Sequence, residues 1–277
     1  MGVRKLWLCA DDYGISPAVD RGIRDLIGRR RINATSVMVT APSFSAAAAA
    51  SLAEIAAPNR AAIGLHFTLT APFRPATPGY RPTAPDGAFL SLAPTLATGL
   101  LRRFDADALA AEAASQIAAF RSAFGRPPDF VDGHQHVQVL PQVSDTLLAA
   151  MADMAPGAWI RQCGRATPLR RRWSDPKGLL LDVLSARLRA RSAKCGMRTN
   201  PAFAGTYNFR HEVGYEALFA SFLQGLPDGG LVMCHPGFVD AELQRLDELT
   251  TMRQHEHAFF AGERFPALLA ACGIVLA

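Results

Sequence analysis

The 277-residue sequence lacks the features of several protein classes. Its five cysteines are odd in number, widely spaced and never arranged as Cys-x-x-Cys, which argues against a disulfide framework or a thiolate zinc site. No apolar run reaches the length of about 18 residues that a membrane span needs, and the run before Asp11 is too short for a signal-peptide core. With 49% hydrophobic and 19% charged residues, the composition excludes a disordered chain. We therefore predict a compact cytoplasmic protein.

A glycine-rich nucleotide-binding fingerprint is also absent, although short apolar runs alternate with helical stretches along the whole chain. This alternation predicts βα units around a parallel sheet. Without the fingerprint it favours a single-domain α/β fold over residues 1–277, a distorted TIM-like (β/α) barrel of about seven to eight strands. The candidate strands are Lys5–Ala10, Thr35–Thr40, Ala62–Leu69, Asp129–Gly133, Ala158–Cys163, Thr199–Ala204, Gly230–Cys234 and Gly273–Leu276.

Helix starts and one long connection can also be located. Ser16 followed by Pro17 is a cap residue before a proline at the first helical position, and Asp105 is a second cap candidate. The connection 71–101 contains six prolines, so it cannot be one regular element. Loops of this length often act as lids.

Positive charge is concentrated in one segment. Residues 161–198 contain eleven lysines and arginines against two aspartates, a local charge of +9 in a chain of formal net charge +5. We interpret this basic segment as a solvated helix and loop, because charged surface runs are common and few aromatic residues are interleaved. The alternative is a surface that attracts an anionic membrane or ligand, so peripheral membrane contact stays open. No nucleic-acid partner is expected.

Polar residues that can carry chemistry fall at the ends of four predicted strands. In parallel α/β proteins the carboxyl ends of the strands meet on one face, so residues far apart in the chain converge there. A single aspartate pair or histidine is more often a cap or a structural residue, but four clusters together predict a site. The clusters are Asp11 and Asp12; His66; Asp132, His134 and His136; and His235.

One carboxylate and two imidazoles form a ligand set typical of zinc, iron, cobalt or manganese. It is less typical of magnesium, which prefers ligand sets made of oxygen alone. If residues 132–136 are extended, their three polar side chains lie on one side. Only one imidazole need then be a ligand, and Asp132 could orient an imidazole through its other ring nitrogen. Asp11 and Asp12 should point apart in an extended segment, one as a ligand and the other in proton transfer.

At these residues the chain resembles the YdjC-like carbohydrate deacetylases, the ChbG/HpnK group, which are distant relatives of the NodB polysaccharide deacetylases. The combination of motifs is specific and spans nearly the whole chain, although each string alone is short. Two positions depart from the family pattern, with Tyr13 in place of phenylalanine and Gly133 in place of a frequent serine. The matching segments are residues 10–14 (ADDYG), 64–70 (GLHFTLT), 132–137 (DGHQHV) and 234–237 (CHPG).

The resemblance implies a metal-dependent hydrolase that removes acetyl groups from N-acetylated sugars. By motif position, Asp12, His66 and His134 would hold one divalent metal ion, magnesium or zinc. Asp11 would be the general base and His235 the general acid. Amide hydrolysis needs a stronger nucleophile, a stabilised oxyanion and a protonated nitrogen, and this set would supply all three.

His136 and Arg161 are candidate substrate-binding residues. Arg161 follows the fifth predicted strand, where it could keep Asp11 ionised, contact a sugar hydroxyl or be an ordinary surface charge. Surface or helix positions are expected for His211, His255 and His257, and packing roles for Trp159 and Trp173.

Two other function classes stay open. A metal-dependent phosphoesterase or amidohydrolase could share the architecture, although many such barrels carry His-x-His at the first strand rather than in mid-chain. A non-catalytic glycan-binding protein is the third alternative, and it would need no proton-transfer residue. For the deacetylase, the expected substrate is a chito-oligosaccharide or a lipid-linked glycan, and a homodimer stays open.

Overall fold

The protein is represented by a computed structural model that describes residues 2–166, 176–208 and 214–277. Strands and helices alternate within these ranges. The strands are β1 (Arg4–Tyr13), β2 (Ala34–Val37), β3 (Ala62–Phe67), β4 (Phe130–Gly133), β5 (Trp159–Ile160), β6 (Phe203–Ala204), β7 (Gly230–Cys234) and β8 (Ile274–Leu276). The helices are α1 (Pro17–Gly28), α2 (Ala46–Asn59), α3 (Leu92–Leu100), α4 (Ala106–Phe124), α5 (Pro141–Met154), α6 (Pro176–Lys194), α7 (Tyr215–Leu223), α8 (Ala241–Leu246), α9 (Thr251–Ala261) and α10 (Arg264–Ala271).

The strands form one sheet in the order β5-β4-β3-β2-β1-β7-β6, and the pairings are parallel. β8 pairs with β1 from Arg4 to Leu6, whereas β7 pairs with β1 from Leu6 to Ala10. β1 is therefore the central strand, and it is buried from Leu8 to its end. The predicted α/β barrel is confirmed, and its central strand carries the two aspartates.

The two end strands approach each other and bring the sheet round into a distorted barrel. The Ile160 N–H in β5 donates to the carbonyl oxygen of Arg198, just before β6, at 3.0 Å. β5 and β6 have only two residues each, fewer than predicted, because side chains replace the backbone ladder between them. The Asn200 side chain accepts from the Gln162 N–H at 2.9 Å and donates to the Gln162 carbonyl at 3.1 Å.

Both helix starts read from the sequence are confirmed. Ser16 Oγ accepts a hydrogen bond from the Val19 N–H at 3.3 Å, and Pro17 occupies the first turn of α1. Asp105 accepts from the Ala108 N–H at 2.9 Å and caps α4 in the same way.

The proline-rich connection 71–101 is irregular up to α3, as predicted. Its aromatic residues are buried: Phe73 and Tyr80 are each 3% exposed, and the Tyr80 ring lies edge-on to Phe89 at 5.4 Å. The Phe73 ring also meets the His134 ring edge-on at 5.5 Å. The connection is thus packed onto the barrel next to His134, a predicted metal-ligating residue.

The basic segment 161–198 is only partly a solvated surface. Arg161 is fully buried, so the solvated interpretation is wrong for this residue. Arg165 is partly exposed and contacts Asp182 at 2.8 Å. Arg187 and Arg191 on α6 are more exposed and share Asp145. Residues 167–175 lie outside the described ranges. No helix within the described ranges has the length and apolarity needed to cross a bilayer.

Two glycines fix the segment after β7 against α1. A Cβ atom at Gly22 would come within 2.8 Å of the Gly237 Cα, and one at Gly237 within 3.1 Å of the Val19 Cα. Because glycine carries only hydrogen there, the backbones can approach this closely. α1 therefore packs directly against the backbone at Gly237, two residues after His235.

Candidate active site

The two aspartates at the end of β1 lie in a β-bulge. Between the pair Ala10–Thr35 and the pair Tyr13–Val37, β1 contains one residue more than β2. Asp12 has a φ of +70°, in the left-handed region that L-residues rarely adopt. Both carboxylates consequently line one cavity, so the prediction that they point apart is wrong.

Asp12 brings the three predicted metal ligands together. Its Oδ1 lies 3.2 Å from His66 Nε2 and 3.2 Å from His134 Nδ1. Its Oδ2 accepts a hydrogen bond from Arg253 Nη2 at 2.6 Å. Burial alone would raise the pKa of Asp12, but Arg253 and the two imidazoles outweigh it and hold this pKa well below its usual value. The carboxylate is therefore ionised and directed at both rings.

His66 is anchored from behind by Asp132. The His66 Nδ1 lies 2.7 Å from Asp132 Oδ1 and 3.0 Å from Ser36 Oγ, which leaves Nε2 facing Asp12. Burial alone would lower the pKa of His66, but Asp132 and Asp11 outweigh it and raise this pKa to about 10. The surrounding carboxylates thus favour a positive charge at this position, whether a proton or a metal ion.

The three donor atoms of Asp12, His66 and His134 fit a divalent metal ion. They lie within 4.8 Å of one another, with 3.2 Å between the oxygen and each nitrogen of its pairs. Metal–ligand bonds of about 2.0–2.2 Å at tetrahedral or octahedral angles place neighbouring donors about 3 Å apart. One oxygen and two nitrogens also leave coordination positions open for water and substrate.

Asp11 has a different environment, formed by Arg161. The Arg161 Nη1 and Nη2 atoms donate to Asp11 Oδ1 and Oδ2 at 2.7 Å each, as a two-pronged ion pair. Arg161 is fully buried, so it is not a surface charge. Burial alone would raise the pKa of Asp11, but Arg161 and His66 outweigh it and lower this pKa to about 2. The pairing keeps Asp11 ionised, while a contact of Arg161 with substrate stays a prediction.

A second group with metal-type ligand atoms consists of Cys9, Asp11 and Asp132. Arg161 already lies between its carboxylates, with Nη1 2.7 Å from Asp11 and 3.0 Å from Asp132. Burial and the neighbouring carboxylates raise the pKa of the Cys9 thiol well above its usual value, so the thiol stays protonated. The Arg161 guanidinium thus supplies positive charge to both carboxylates of this group.

His235 follows β7 and lines the same cavity as Asp11 and Asp12. Desolvation is the main reason that the pKa of His235 is lowered; Asp12 opposes the shift and Arg253 reinforces it. The His235 backbone N–H donates to Glu256 Oε2 at 2.5 Å. The predicted base and acid therefore lie in one cavity with the ligand cluster.

Arg253 and Glu256 are site residues to which the sequence patterns assigned no chemistry. Both are fully buried on α9, on a face shared with Met252 and Phe260. Arg253 Nη2 bridges Asp12 and Asp247 at 2.6 Å each. Two charged residues at core positions of an amphipathic helix were the available signal, since buried charges occur where partners exist.

The segment after β4 is not extended. The prediction that Asp132, His134 and His136 lie on one side assumed an extended segment. A turn of 3₁₀ type covers His134–Val139, and Gln135 and His136 within it have positive φ values of 53° and 63°. His136 lines the cavity with its Nδ1 3.6 Å from Cys163 Sγ, whereas Asp132 stays behind the ligand cluster. A substrate contact by His136 stays a prediction.

The cavity has a volume of about 570 Å³, which is in the range of small-molecule sites. Besides the carboxylates and imidazoles, its lining contains a set of aliphatic residues and a set of polar residues. The aliphatic lining residues are Leu92, Leu96, Val139, Leu140, Leu180, Leu181, Leu184 and Leu249. The polar ones include Thr206, Asn208, Asp247, Glu248, Thr250 and Thr251.

The remaining histidines and tryptophans lie away from the ligand cluster where they are described. Trp159 stacks on Phe130 with ring centroids 4.5 Å apart, a packing role. His257 Nε2 lies 3.1 Å from an Asp25 oxygen, and His255 is exposed on the same helix, α9. His211 and Trp173 fall outside the described residues.

Buried carboxylates and imidazoles gathered at the carboxyl ends of parallel strands define an α/β-barrel enzyme. The chain belongs to the YdjC-like protein family, whose model matches residues 5–271, so the family resemblance read from the motifs is confirmed. A chitooligosaccharide deacetylase from Serratia marcescens is 30% identical over 246 residues, 84% of this chain and 82% of the relative. One from Yersinia pestis (strain Pestoides F) is 30% identical over 243 residues, with the same shares covered.

Solved structures agree on the fold. A protein from Enterococcus faecalis V583, named for cellobiose-phosphate cleavage, matches with a TM-score of 0.74 at 24% identity, over 100% of this chain and 97% of its own. A lactam utilization protein from Thermus thermophilus matches with a TM-score of 0.50 at 15% identity, over 100% and 99%. At these identities the likeness concerns the fold alone.

Proposed function

We propose that this protein is a metal-dependent deacetylase that removes the acetyl group from an N-acetylated sugar. The observation that carries the proposal is the meeting of the ligand cluster of Asp12, His66 and His134 with Asp11 and His235 in one cavity. The family and the names of its curated relatives supply the reaction class. A chito-oligosaccharide is the first candidate substrate and a lipid-linked glycan the second.

Asp12, His66 and His134 would hold one divalent ion, zinc or magnesium, and the two nitrogen donors favour zinc. Such an ion lowers the pKa of a coordinated water and polarises a carbonyl group. Asp132 supports the binding by holding His66 Nδ1, so that Nε2 faces Asp12. Arg253 fixes the other Asp12 oxygen.

Asp11 is the proposed base that takes a proton from the attacking water. Its pKa of about 2 keeps the carboxylate ionised throughout the neutral range. Arg161, Ser36 and Cys9 all donate to the Oδ1 atom of Asp11, whereas Arg161 is the one donor described for Oδ2. Oδ2 is therefore the oxygen proposed to accept the proton.

His235 is the proposed acid that protonates the amide nitrogen as the C–N bond breaks. An amine anion is a very poor leaving group, so the bond breaks readily only when nitrogen receives a proton. Water is thereby added across the amide, and acetate and the free sugar amine are released. A cytoplasmic location and a homodimer stay sequence-based predictions.

Acetate release is the direct test of the proposal. The purified full chain, loaded with zinc or magnesium, should release acetate from N-acetylated chito-oligosaccharides and no phosphate from phosphate esters. Phosphate release without acetate would identify a phosphoesterase instead. Sugar binding without turnover at any metal loading would identify a glycan-binding protein.

Metal removal is the second test. Chelation should abolish acetate release, and one equivalent of divalent ion per chain should restore it, as measured by elemental analysis together with the acetate assay. Full activity of a chain shown to be metal-free would contradict the metal-dependent mechanism.

A further inference from the structure

Glu256 is a fully buried carboxyl group that contacts two loops of the cavity. Its Oε2 accepts the His235 backbone N–H at 2.5 Å, and its Oε1 accepts the Tyr207 hydroxyl at 2.5 Å. Tyr207 stands between Thr206 and Asn208, which both line the cavity. One side chain of α9 thus joins the loop after β6 to the loop after β7.

The contact to His235 falls where the sheet stops supporting the chain. The register between β1 and β7 ends with the pair Ala10–Cys234, so His235 is the first residue beyond the ladder. Glu256 accepts the N–H of this residue, and the carbonyl of Arg253 accepts the Gly237 N–H at 3.0 Å. α9 therefore holds both ends of the three-residue segment that carries His235.

A carboxyl group is a costly choice for a purely structural contact. Ionisable groups are rarely fully buried, because burial penalises their charged form. Burial raises the pKa of Glu256 to about 7, although hydrogen bonds from Tyr207 and His235 and the charge of Arg253 act in the opposite direction. What a carboxyl group offers here is two acceptor oxygens in a fixed plane, one for each loop.

We propose that Glu256 is a positioning residue that fixes the His235 backbone so that the imidazole can protonate the leaving nitrogen. The inference rests on the proposed function, in which His235 is the acid. It differs from a stabilising role in one respect: loss of Glu256 should harm only those substrates whose leaving group needs a proton.

Two substrates of different leaving groups provide the test. An N-acetylated chito-oligosaccharide needs nitrogen protonation, whereas 4-nitrophenyl acetate releases a stable phenolate without an acid. Glu256→Ala should lower kcat for the amide by about 100-fold, in the range of general acid catalysis, and change kcat for the ester by less than about threefold. KM should stay unchanged for both.

Three further variants make the test specific. Glu256→Gln should restore amide turnover, because its oxygen can accept the His235 N–H and its amide group can donate to Tyr207. Glu256→Asp keeps the carboxyl group but withdraws it by one methylene, so it should reproduce the selective loss even if the alanine variant fails to fold. Glu54→Ala, which removes an exposed acid on α2, is the matched control and should change nothing.

The double variant Glu256→Ala/His235→Ala should lose no more amide turnover than His235→Ala alone, because residues acting through one another are non-additive. Equal losses on amide and ester, or additive losses in the double variant, would overturn the positioning role. A wild-type chain that releases no acetate from any N-acetylated sugar would instead defeat the proposed function, so the two failures are distinguishable.

Discussion

The two adjacent aspartates of β1 differ in how many of their carboxylate oxygens are paired with an arginine. Asp11 places both oxygens on Arg161, whereas Asp12 gives one oxygen to Arg253 and turns the other to two imidazoles. A regular strand would send the two side chains to opposite faces, whereas both residues of this bulged strand line one cavity and meet different arginines there. Two neighbouring residues of the same type thus differ through their partners: Asp12 combines an ion pair with the ligand cluster, whereas both oxygens of Asp11 are paired with one arginine.

Asp12→Ala should have the largest effect, because it removes the only oxygen donor of the ligand cluster. We expect loss of the bound metal and at least about a thousandfold loss of acetate release. Elemental analysis and the acetate assay measure the two effects.

Asp11→Asn is the matched substitution at the neighbouring position. It should retain the metal and lose about a hundredfold or more in turnover, because it removes the proposed base. Equal metal loss in the two variants would abolish the distinction between the aspartates.

Arg161→Met should destabilise the fold, because it leaves the buried carboxylates of Asp11 and Asp132 without their partner. Breaking a buried ion pair from one side costs about 3–5 kcal/mol in the free energy of unfolding, measurable by denaturant titration. The control Arg126→Met breaks an exposed pair with Asp129, in which the side chains are 42% and 40% exposed. It should cost less than about 1 kcal/mol. Similar costs would show that Arg161 has no special structural role.

Glu256 extends the comparison to a buried carboxyl group whose hydrogen bonds come from a hydroxyl and a backbone amide. Its pKa lies near 7 in the fold against 4.5 ordinarily, so folding favours the protonated form. The resulting contribution to stability is complete below about pH 4 and is lost as the pH rises through 7, by about 3 kcal/mol. Unfolding titrations should therefore show that the free energy of unfolding of Glu256→Gln rises relative to that of the wild type between pH 4 and 7. A constant difference across this range would contradict the raised pKa.

Asp247→Asn should have the smallest effect. Asp247 shares Arg253 Nη2 with Asp12, but its side chain is 24% exposed, and partly solvated ion pairs contribute little. We expect a change of less than about 1 kcal/mol in the free energy of unfolding. Acetate release should remain within a few-fold of the wild type, and a loss as large as that of Asp12→Ala would place Asp247 in the ligand cluster.

The strands and the ligand cluster could be read from the sequence for a clear physical reason. Continuous apolar runs predict strands that are covered on both faces. Polar residues at the carboxyl ends of such strands converge at one edge of a parallel sheet. This reasoning predicted that the polar clusters converge, and the structure brings Asp12, His66 and His134 together. The selection of these three residues among the cluster members came from the family motifs.

The rest depended on contacts that no local pattern encodes. The left-handed conformation of Asp12 coincides with the register shift between β1 and β2, and the turn at His136 directly follows β4. The position of Arg161 after a strand allowed the prediction that it keeps Asp11 ionised, but nothing in its neighbours distinguished this from a sugar contact or a surface charge, and only the fold places Asp11 opposite it. The burial of Arg253 could not be predicted from its helix alone, because it depends on how α9 packs against the rest of the barrel.

The central position of β1 has a consequence for synthesis. The ribosome makes Asp11 and Asp12 early, but their arginine partners follow only 150 and 241 positions later, and the β7 strand that flanks them is equally late. Until residue 161 is made, neither aspartate has its arginine partner, and Asp12 lacks its own until residue 253. Catalytic competence should then appear abruptly near the end of elongation, and nascent chains released before Arg253 should be inert however well their first βα units have formed.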